Sequence, residues 1–220
     1  MNCTKSVRLI ALAAAALAFT AVNANADFIT GYGWVTTEAI VGSATGATKA
    51  NLPGTSPDVS FTTTGLNLSS SLANGTVAQW MSSSTFPLHN LVDKVAASQQ
   101  LDPTIWEFFG DISVTSSEVF SISQDDGVTL YVNDLQHPLF SNPGPNSLIN
   151  EHATYTGPTS GNVPFEVIYT ECCGGPAAVQ IGVLTAPATV PEPGSIVLLG
   201  TVVCGIVFFR RRRNAKSSPR

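Results

Sequence analysis

Between residues 27 and 190 the chain has almost no positive charge. Lys49 and Lys94 are the only basic residues there, against fourteen of the protein's fifteen Asp and Glu. Nucleic acid and anionic lipid, which are bound through clustered Lys and Arg, are poor partners for such a surface. Charged residues of both signs make up only 11% of the chain, so solvent-facing positions fall largely to hydroxyls and amides. Cysteine is scarce as well. Cys3 lies in the leader and Cys204 in a C-terminal apolar run, which leaves the adjacent Cys172 and Cys173. No framework of spaced disulfides can be built from these two. A bond between neighbours closes a small strained ring, so free thiols and a vicinal disulfide both stay open, with an intermolecular bond as the weaker third option.

Catalytic signals are missing too. The spacing of His137, His152, Cys172 and Cys173 fits no zinc pattern. No nucleophile elbow is present, and nothing sets a nucleophile beside a base and its orienter. Asp125 and Asp126 are adjacent, whereas glycoside hydrolysis places two carboxyl groups ~5–9.5 Å apart across a sugar. The expectation is a protein that is not an enzyme.

The two ends are processing segments. Lys5 and Arg8, an apolar run from Leu9 to Phe19 and the sequence Ala24-Asn25-Ala26 make 1–26 a secretory signal peptide. About 164 residues then remain before the tail, which suits one domain. The tail begins Val190-Pro191-Glu192-Pro193-Gly194-Ser195, continues through apolar or small residues from Ile196 to Phe209, and ends in Arg210, Arg211, Arg212 and Arg213. The apolar run alone is short for a bilayer. With Pro193 to Ser195 and a snorkelling Arg210 it reaches about 18 residues, or ~27 Å of helix. The arginines stop the span on the cytoplasmic side.

The body reads as strands. Short apolar groups such as Trp34-Val35, Val59–Phe61, Leu66–Leu68 and Val77-Ala78 are punctuated by Gly and Pro. One helix is predicted over Phe86–Gln100, with Thr85 as cap, Pro87 in the first turn, and Leu88, Leu91, Val92 and Val95 at helical spacing. Trp106, Phe108 and Phe109 form an aromatic cluster. Core filling is the simpler reading, since aromatic side chains bury ~150–250 Å² each, and a sugar platform at Trp106 is the sharper one. Phe165–Tyr169 and Val179–Val183 alternate as two strands joined at Cys172–Pro176, a pattern that predicts a hairpin. Leu135–Gly161 reads as a long polar loop, and loops of that length are often functional.

The most informative stretch is Phe120–Asp134, FSISQDDGVTLYVND. Phe120 and Ile122 share one face of a first strand, and Val128, Leu130 and Val132 share one face of a second. The Asp125-Asp126-Gly127 junction has two readings. It is a tight turn, with glycine taking positive φ, or it is a calcium site. Neighbouring side chains on a trans strand point to opposite faces. A cis Asp-Asp bond would turn both carboxylates to one side at a cost of ~2.5–4 kcal/mol, and a Ca²⁺ taking six to eight oxygens is the kind of compensation that would hold the pair.

The order of Gly110, Phe120, Asp125-Asp126-Gly127 and Leu130-Tyr131, then Phe165–Tyr169 and Gly174–Ala177, resembles the protective-antigen-like domain. That family is a β-sandwich found in bacterial toxins, glycosidases and fungal adhesins. The likeness runs over roughly 106–184, with Asn133-Asp134 standing where the family often has Asp-Gly. In adhesin members a cis Asp-Asp pair binds Ca²⁺, the ion contacts a sugar, and a following loop completes the coordination. The resemblance implies Ca²⁺ at Asp125 and Asp126, and the nearby Asn133 and Asp134 offer further oxygen ligands. Asn142, Asn146, Asn150 and Glu151 are additional oxygen donors in the loop. Asp125, Asp126 and Trp106 are then the candidate sugar contacts.

The tail resembles the PEP-CTERM sorting signal over Val190–Arg213. That resemblance implies a Gram-negative, exopolysaccharide-producing host. It also implies recognition of Pro191, Glu192 and Pro193 by an exosortase, an inner-membrane cysteine protease. The expected protein is an all-β antiparallel sandwich with one short helix over 27–189, behind a signal peptide at 1–26. A sorting segment at 190–213 carries the membrane helix, and a cytoplasmic end follows at 214–220. It is exported, passes through an inner-membrane intermediate and reaches the surface or extracellular matrix. There it binds polysaccharide with help from calcium. The rival expectation is a structural matrix protein with no discrete ligand, which shows no calcium-dependent saturable binding.

Overall fold

The structure is a computed structural model that describes residues 28–71, 75–157 and 160–184. The expected signal peptide at 1–26 and the expected sorting tail with its membrane span at 190–213 lie outside these residues. Among the described residues no helix is long and apolar enough to cross a membrane.

Among the described residues eleven strands form two antiparallel sheets, as the alternating apolar runs lead one to expect. They are β1 (Ile29–Val35), β2 (Val59–Thr63), β3 (Leu66–Ser70), β4 (His89–Asp93), β5 (Thr104–Val114), β6 (Val119–Asp125), β7 (Val128–Val132), β8 (Phe140–Asn142), β9 (Ile149–Thr154), β10 (Gly161–Glu171) and β11 (Ala177–Leu184). The larger sheet has the order β4-β2-β1-β5-β10-β7-β8, and the smaller β3-β11-β6-β9. Their inward residues meet in one core. Trp80 is fully buried there, stacked on Tyr169 at 5.7 Å and tilted against Trp106 at 4.7 Å between ring centroids. Gly33 makes room for this cluster, because a Cβ on it would stand 2.4 Å from the Trp106 ring. Trp80→Ala removes the largest shared contact and is expected to cost about 3–5 kcal/mol, measured as a shift in the urea midpoint at unchanged slope.

The outer face of the larger sheet is covered. The segment 36–58, which carries the short helix α1 (Glu38–Val41), packs Val41, Ala47 and Leu52 against Trp34, Ile105, Tyr131 and Ile168. The Thr129 hydroxyl donates to the Ala47 carbonyl at 2.6 Å. All five residues of β7 are therefore buried, although its sequence alternates as if half of them met water.

Three expectations change. The region predicted as a helix, Phe86–Gln100, contains the bulged edge strand β4 instead. Asn90 sits in the left-handed region at φ 53°, and the Asp93 carboxylate accepts the Val95 N–H at 3.0 Å. Such a local bond to an Asp side chain competes with the helix ladder, and the edge of β2 offers the alternative partner. The helix of this region is α2 (Val77–Ser82), fixed by a capping box between Thr76 and Gln79. Second, the long loop 135–161 carries β8, which pairs with β7, and β9, which pairs with β6. Third, β10 and β11 are not a hairpin, because they lie in different sheets.

Candidate functional site

β6 and β7 likewise belong to different sheets, so Asp125-Asp126-Gly127 is not a hairpin turn but a corner that carries the chain across the sandwich. Cys172–Pro176 carries it back from β10 to β11. Because β7 and β10 are paired with Val128 opposite Tyr169, the two corners leave the larger sheet side by side. They are tied together. The Thr170 N–H donates to the Gly127 carbonyl at 3.0 Å, and the Cys172 N–H donates to Asp126 Oδ2 at 2.8 Å. The segment between β8 and β9 closes the third side. The Asp126 N–H donates to the Asn146 carbonyl at 2.9 Å, and Asn146 Nδ2 donates back to the Asp126 carbonyl at 2.7 Å.

The local backbone differs from the expectation of a cis Asp-Asp bond. Among the described residues the one cis peptide is Asp102–Pro103, so the Asp125–Asp126 bond is trans. Asp126 itself makes the bend, in the left-handed region at φ 69°. Gly127 is needed for space rather than for φ, since a Cβ would stand 2.4 Å from the Pro143 carbonyl oxygen and 2.7 Å from Thr170 Oγ1.

Asp125 and Asp126 thus line one cavity of about 520 Å³, with Asn146, Leu148, Glu171 and the Cys172–Cys173 pair. The two cysteines are joined as a vicinal disulfide. Both aspartates are nearly buried. Burial lifts the Asp125 carboxyl above its usual range. Asp126 is pushed up to about 6, chiefly by burial and then by the charges of Asp125 and Asp102, against the opposing Cys172 N–H. Glu171 is pushed up to about 9 by burial and by Asp126, Asp125 and Asp102, although the Tyr169 hydroxyl donates to it. No cation relieves this crowding. Among the described residues the basic side chains are Lys49 and Lys94. Lys49 bonds Glu166 at 2.5 Å and lies over the Tyr131 ring, and Lys94 bonds the Pro57 carbonyl. Asn146 Oδ1 is buried with no hydrogen-bond partner. An orphaned carbonyl oxygen beside two carboxylates is a donor set suited to a hard cation. A second group, Glu38 with Cys172 and Cys173, brings ligand atoms within 4.8 Å of one another. With its sulfurs joined, that group offers a metal mainly the Glu38 carboxylate.

Other expected residues lie elsewhere. Asn133 and Asp134 stand at the far end of β7, roughly 17 Å of strand from the corner. Asn133 donates its N–H to the Pro164 carbonyl, and the exposed Asp134 carboxylate binds the Gln136 N–H and His137 Nδ1. Trp106 is 1% exposed, its Nε1 bonded to Thr104, so it fills the core and presents no platform. Of the loop donors, Asn146 reaches the site, while Asn142, Asn150 and Glu151 are strand residues of β8 and β9. Pro191, Glu192, Pro193 and Arg210–Arg213 lie outside the described residues. Glu171 was not anticipated. Its signal is parity, since it shares the inward face with Phe165, Val167 and Tyr169, a position where a carboxylate is rare without a partner.

Comparison with known proteins adds two findings. Residues 189–213 match the PEP-CTERM protein-sorting motif, the signal by which an exosortase sorts an exported protein to the surface. The described domain has the PA14, or protective-antigen-like, fold. It is similar to the PA14 sugar-binding domain from an RTX adhesin, with a TM-score of 0.54 and 14% identity over 71% of this chain and 90% of that one. It is also similar to the PA14 domain of the MpAFP antifreeze protein, with a TM-score of 0.53 and 17% identity over 73% of this chain and 83% of that one. No curated protein matches the sequence.

Proposed function

We propose that this chain is a non-enzymatic surface protein whose PA14-like domain binds carbohydrate through a Ca²⁺ ion held at the Asp125-Asp126 corner. The single observation that carries the reading is that two nearly buried carboxylates, Asp125 and Asp126, line one open cavity together with Asn146, whose Oδ1 has no hydrogen-bond partner, and that neither lysine of the described residues lines it. Asp125, Asp126 and Asn146 would hold the ion. A calcium ion takes six to eight oxygens, and protein donors this few leave positions for the hydroxyl pair of a sugar. The ion would supply the charge that draws those hydroxyls in. Asp126 is oriented by the Cys172 N–H and tied through its backbone to Asn146, so its carboxylate is set before any ligand arrives. Glu171 lines the same cavity, its carboxyl held in the neutral form near pH 7 by burial. That the similar RTX adhesin domain is a sugar-binding one supports the reading.

Asp126→Asn keeps the shape of the side chain and removes its charge. It is expected to weaken calcium binding at least about 10-fold and to lower calcium-dependent glycan binding in parallel, read by titration calorimetry and a glycan array. Equal calcium affinity in wild type and variant would place the ion elsewhere. Absence of any calcium-dependent glycan binding would favour a structural matrix protein.

A further inference from the structure

The outer face of the smaller sheet is bare among the described residues, in contrast to the covered face of the larger one. Its outward positions follow from strand parity. Leu66, Leu68, Phe120, Ile122 and Val179 point into the core, so Asn67, Ser121, Ser123, Gln180 and, on β9, Asn150 and His152 point out. They fall in cross-strand register, with Asn67 opposite Gln180, Ser121 opposite His152 and Ser123 opposite Asn150. Opposed side chains of this kind lie within mutual reach and form one continuous surface.

This face is concave. A cavity of about 360 Å³ lies over it, and Phe86 stands at the β3 side. Gly182 keeps the middle open, since a Cβ there would come 2.8 Å from Ser121 Oγ. Phe86 is 37% exposed for a side chain that gains nothing from water. It is also held in place. Its ring lies against Gly65, Ser84 Oγ bonds both the N–H and the carbonyl of Phe86, and the Thr85 N–H donates to the Asn67 carbonyl.

We infer that this groove is a second carbohydrate-binding surface, for a neutral polysaccharide chain, that works without the corner ion. The lining offers what a neutral sugar needs. Asn67, Gln180 and Asn150 each present an amide with donors and an acceptor, Ser123 adds a hydroxyl, and Phe86 gives an apolar wall for the C–H face of a ring. Charge decides the class of ligand. The lining holds no Lys, Arg or Asp, its one outward ionisable side chain is His152, and the one carboxylate, Glu151, has the opposite parity on β9 beside core-packed Ala153. An anionic or cationic polymer would find no lysine, arginine or outward carboxylate there. A neutral one loses no charge solvation on binding.

The test is affinity electrophoresis of the purified full chain through native gels containing a neutral β-glucan, a galactomannan or dextran, all in chelator. The expected result is retardation by at least one polymer that is unchanged in Asp126→Asn. In Phe86→Ala and separately in Gln180→Ala, the apparent affinity falls about tenfold, a change of ~1.4 kcal/mol. Both substitutions are at surface positions, and an unchanged thermal midpoint verifies that the fold is kept. No retardation of the wild type in chelator by any of the three polymers would overturn the inference. So would retardation that both groove variants leave intact. Because the corner site is silenced by chelator and by Asp126→Asn, the result is independent of the calcium reading.

Discussion

In chelator, the melting temperature of the protein is expected to fall as the pH is raised from about 4 to 9, and millimolar calcium is expected to reverse the fall. Asp126 in the folded protein has its pKa raised to about 6, and Glu171 to about 9. The ordinary values of these side chains are 3.8 and 4.5. The folded state therefore holds protons that the unfolded chain has released, and stability decreases with pH across that interval. The Asp126 contribution is fully present below about 3.8 and is lost as the pH rises through about 6. The Glu171 contribution is lost over the longer interval up to about 9. Calcium favours the ionised forms, so its affinity rises between pH 5 and 7 and its binding releases protons. At free calcium 100 times the dissociation constant the gain is about 2.7 kcal/mol, which for a domain of this size is roughly 5–10 °C in Tm. Scanning calorimetry at several pH values, with and without calcium, is the measurement. Superimposable melting curves at neutral pH would remove the ion, and a Tm that rises with pH in chelator would contradict the buried, unpaired carboxylates.

The second large effect concerns sorting and is all-or-none. Replacing Pro191, Glu192 and Pro193 together by alanine is expected to leave export unchanged and to stop removal of the tail. The protein then accumulates in the inner membrane, still carrying residues 190–220. The motivation is the match of 189–213 to the PEP-CTERM protein-sorting motif, whose apolar and basic parts remain in the variant to hold it in the bilayer. Intact-mass analysis of fractionated envelopes and medium reads the outcome. A wild-type surface form that still ends at Arg220 would mean that the tail is a permanent anchor.

The sandwich and the acidic pair at its corner were legible in the alternation of Phe120–Val132 and in Asp125-Asp126-Gly127. The route of the chain was not. A hairpin and a crossing between sheets place the same residues on the inward face, so period-two patterning cannot tell them apart. What separates them is contact far along the chain, such as Gly127 against Pro143, or Val128 beside Tyr169. For the same reason Asn133 and Asp134 looked close to the pair in sequence while a whole strand stands between. Glu171, 45 positions beyond Asp126, joins it only because both crossings occur at one end. The misplaced helix has a different cause. The spacing of Leu88, Leu91, Val92 and Val95 is helical, but Asn90 takes the left-handed region, the Asp93 carboxylate binds the Val95 N–H, and the edge of β2 offers pairing that decides the matter. The Thr76–Gln79 capping box was readable and marks the true helix.

The double crossing also sets a path for mechanical load. β11 begins at Ala177, directly after the second corner, and ends at Leu184, ahead of the sorting segment. A ligand gripped at the corner and an attachment at the tail would pull on opposite ends of this one strand. β11 is an interior strand, bonded to β3 on one side and to β6 on the other. Tension along it must shear two ladders at once instead of peeling one bond after another, because the stretch between grip and tether is an interior strand and not an edge.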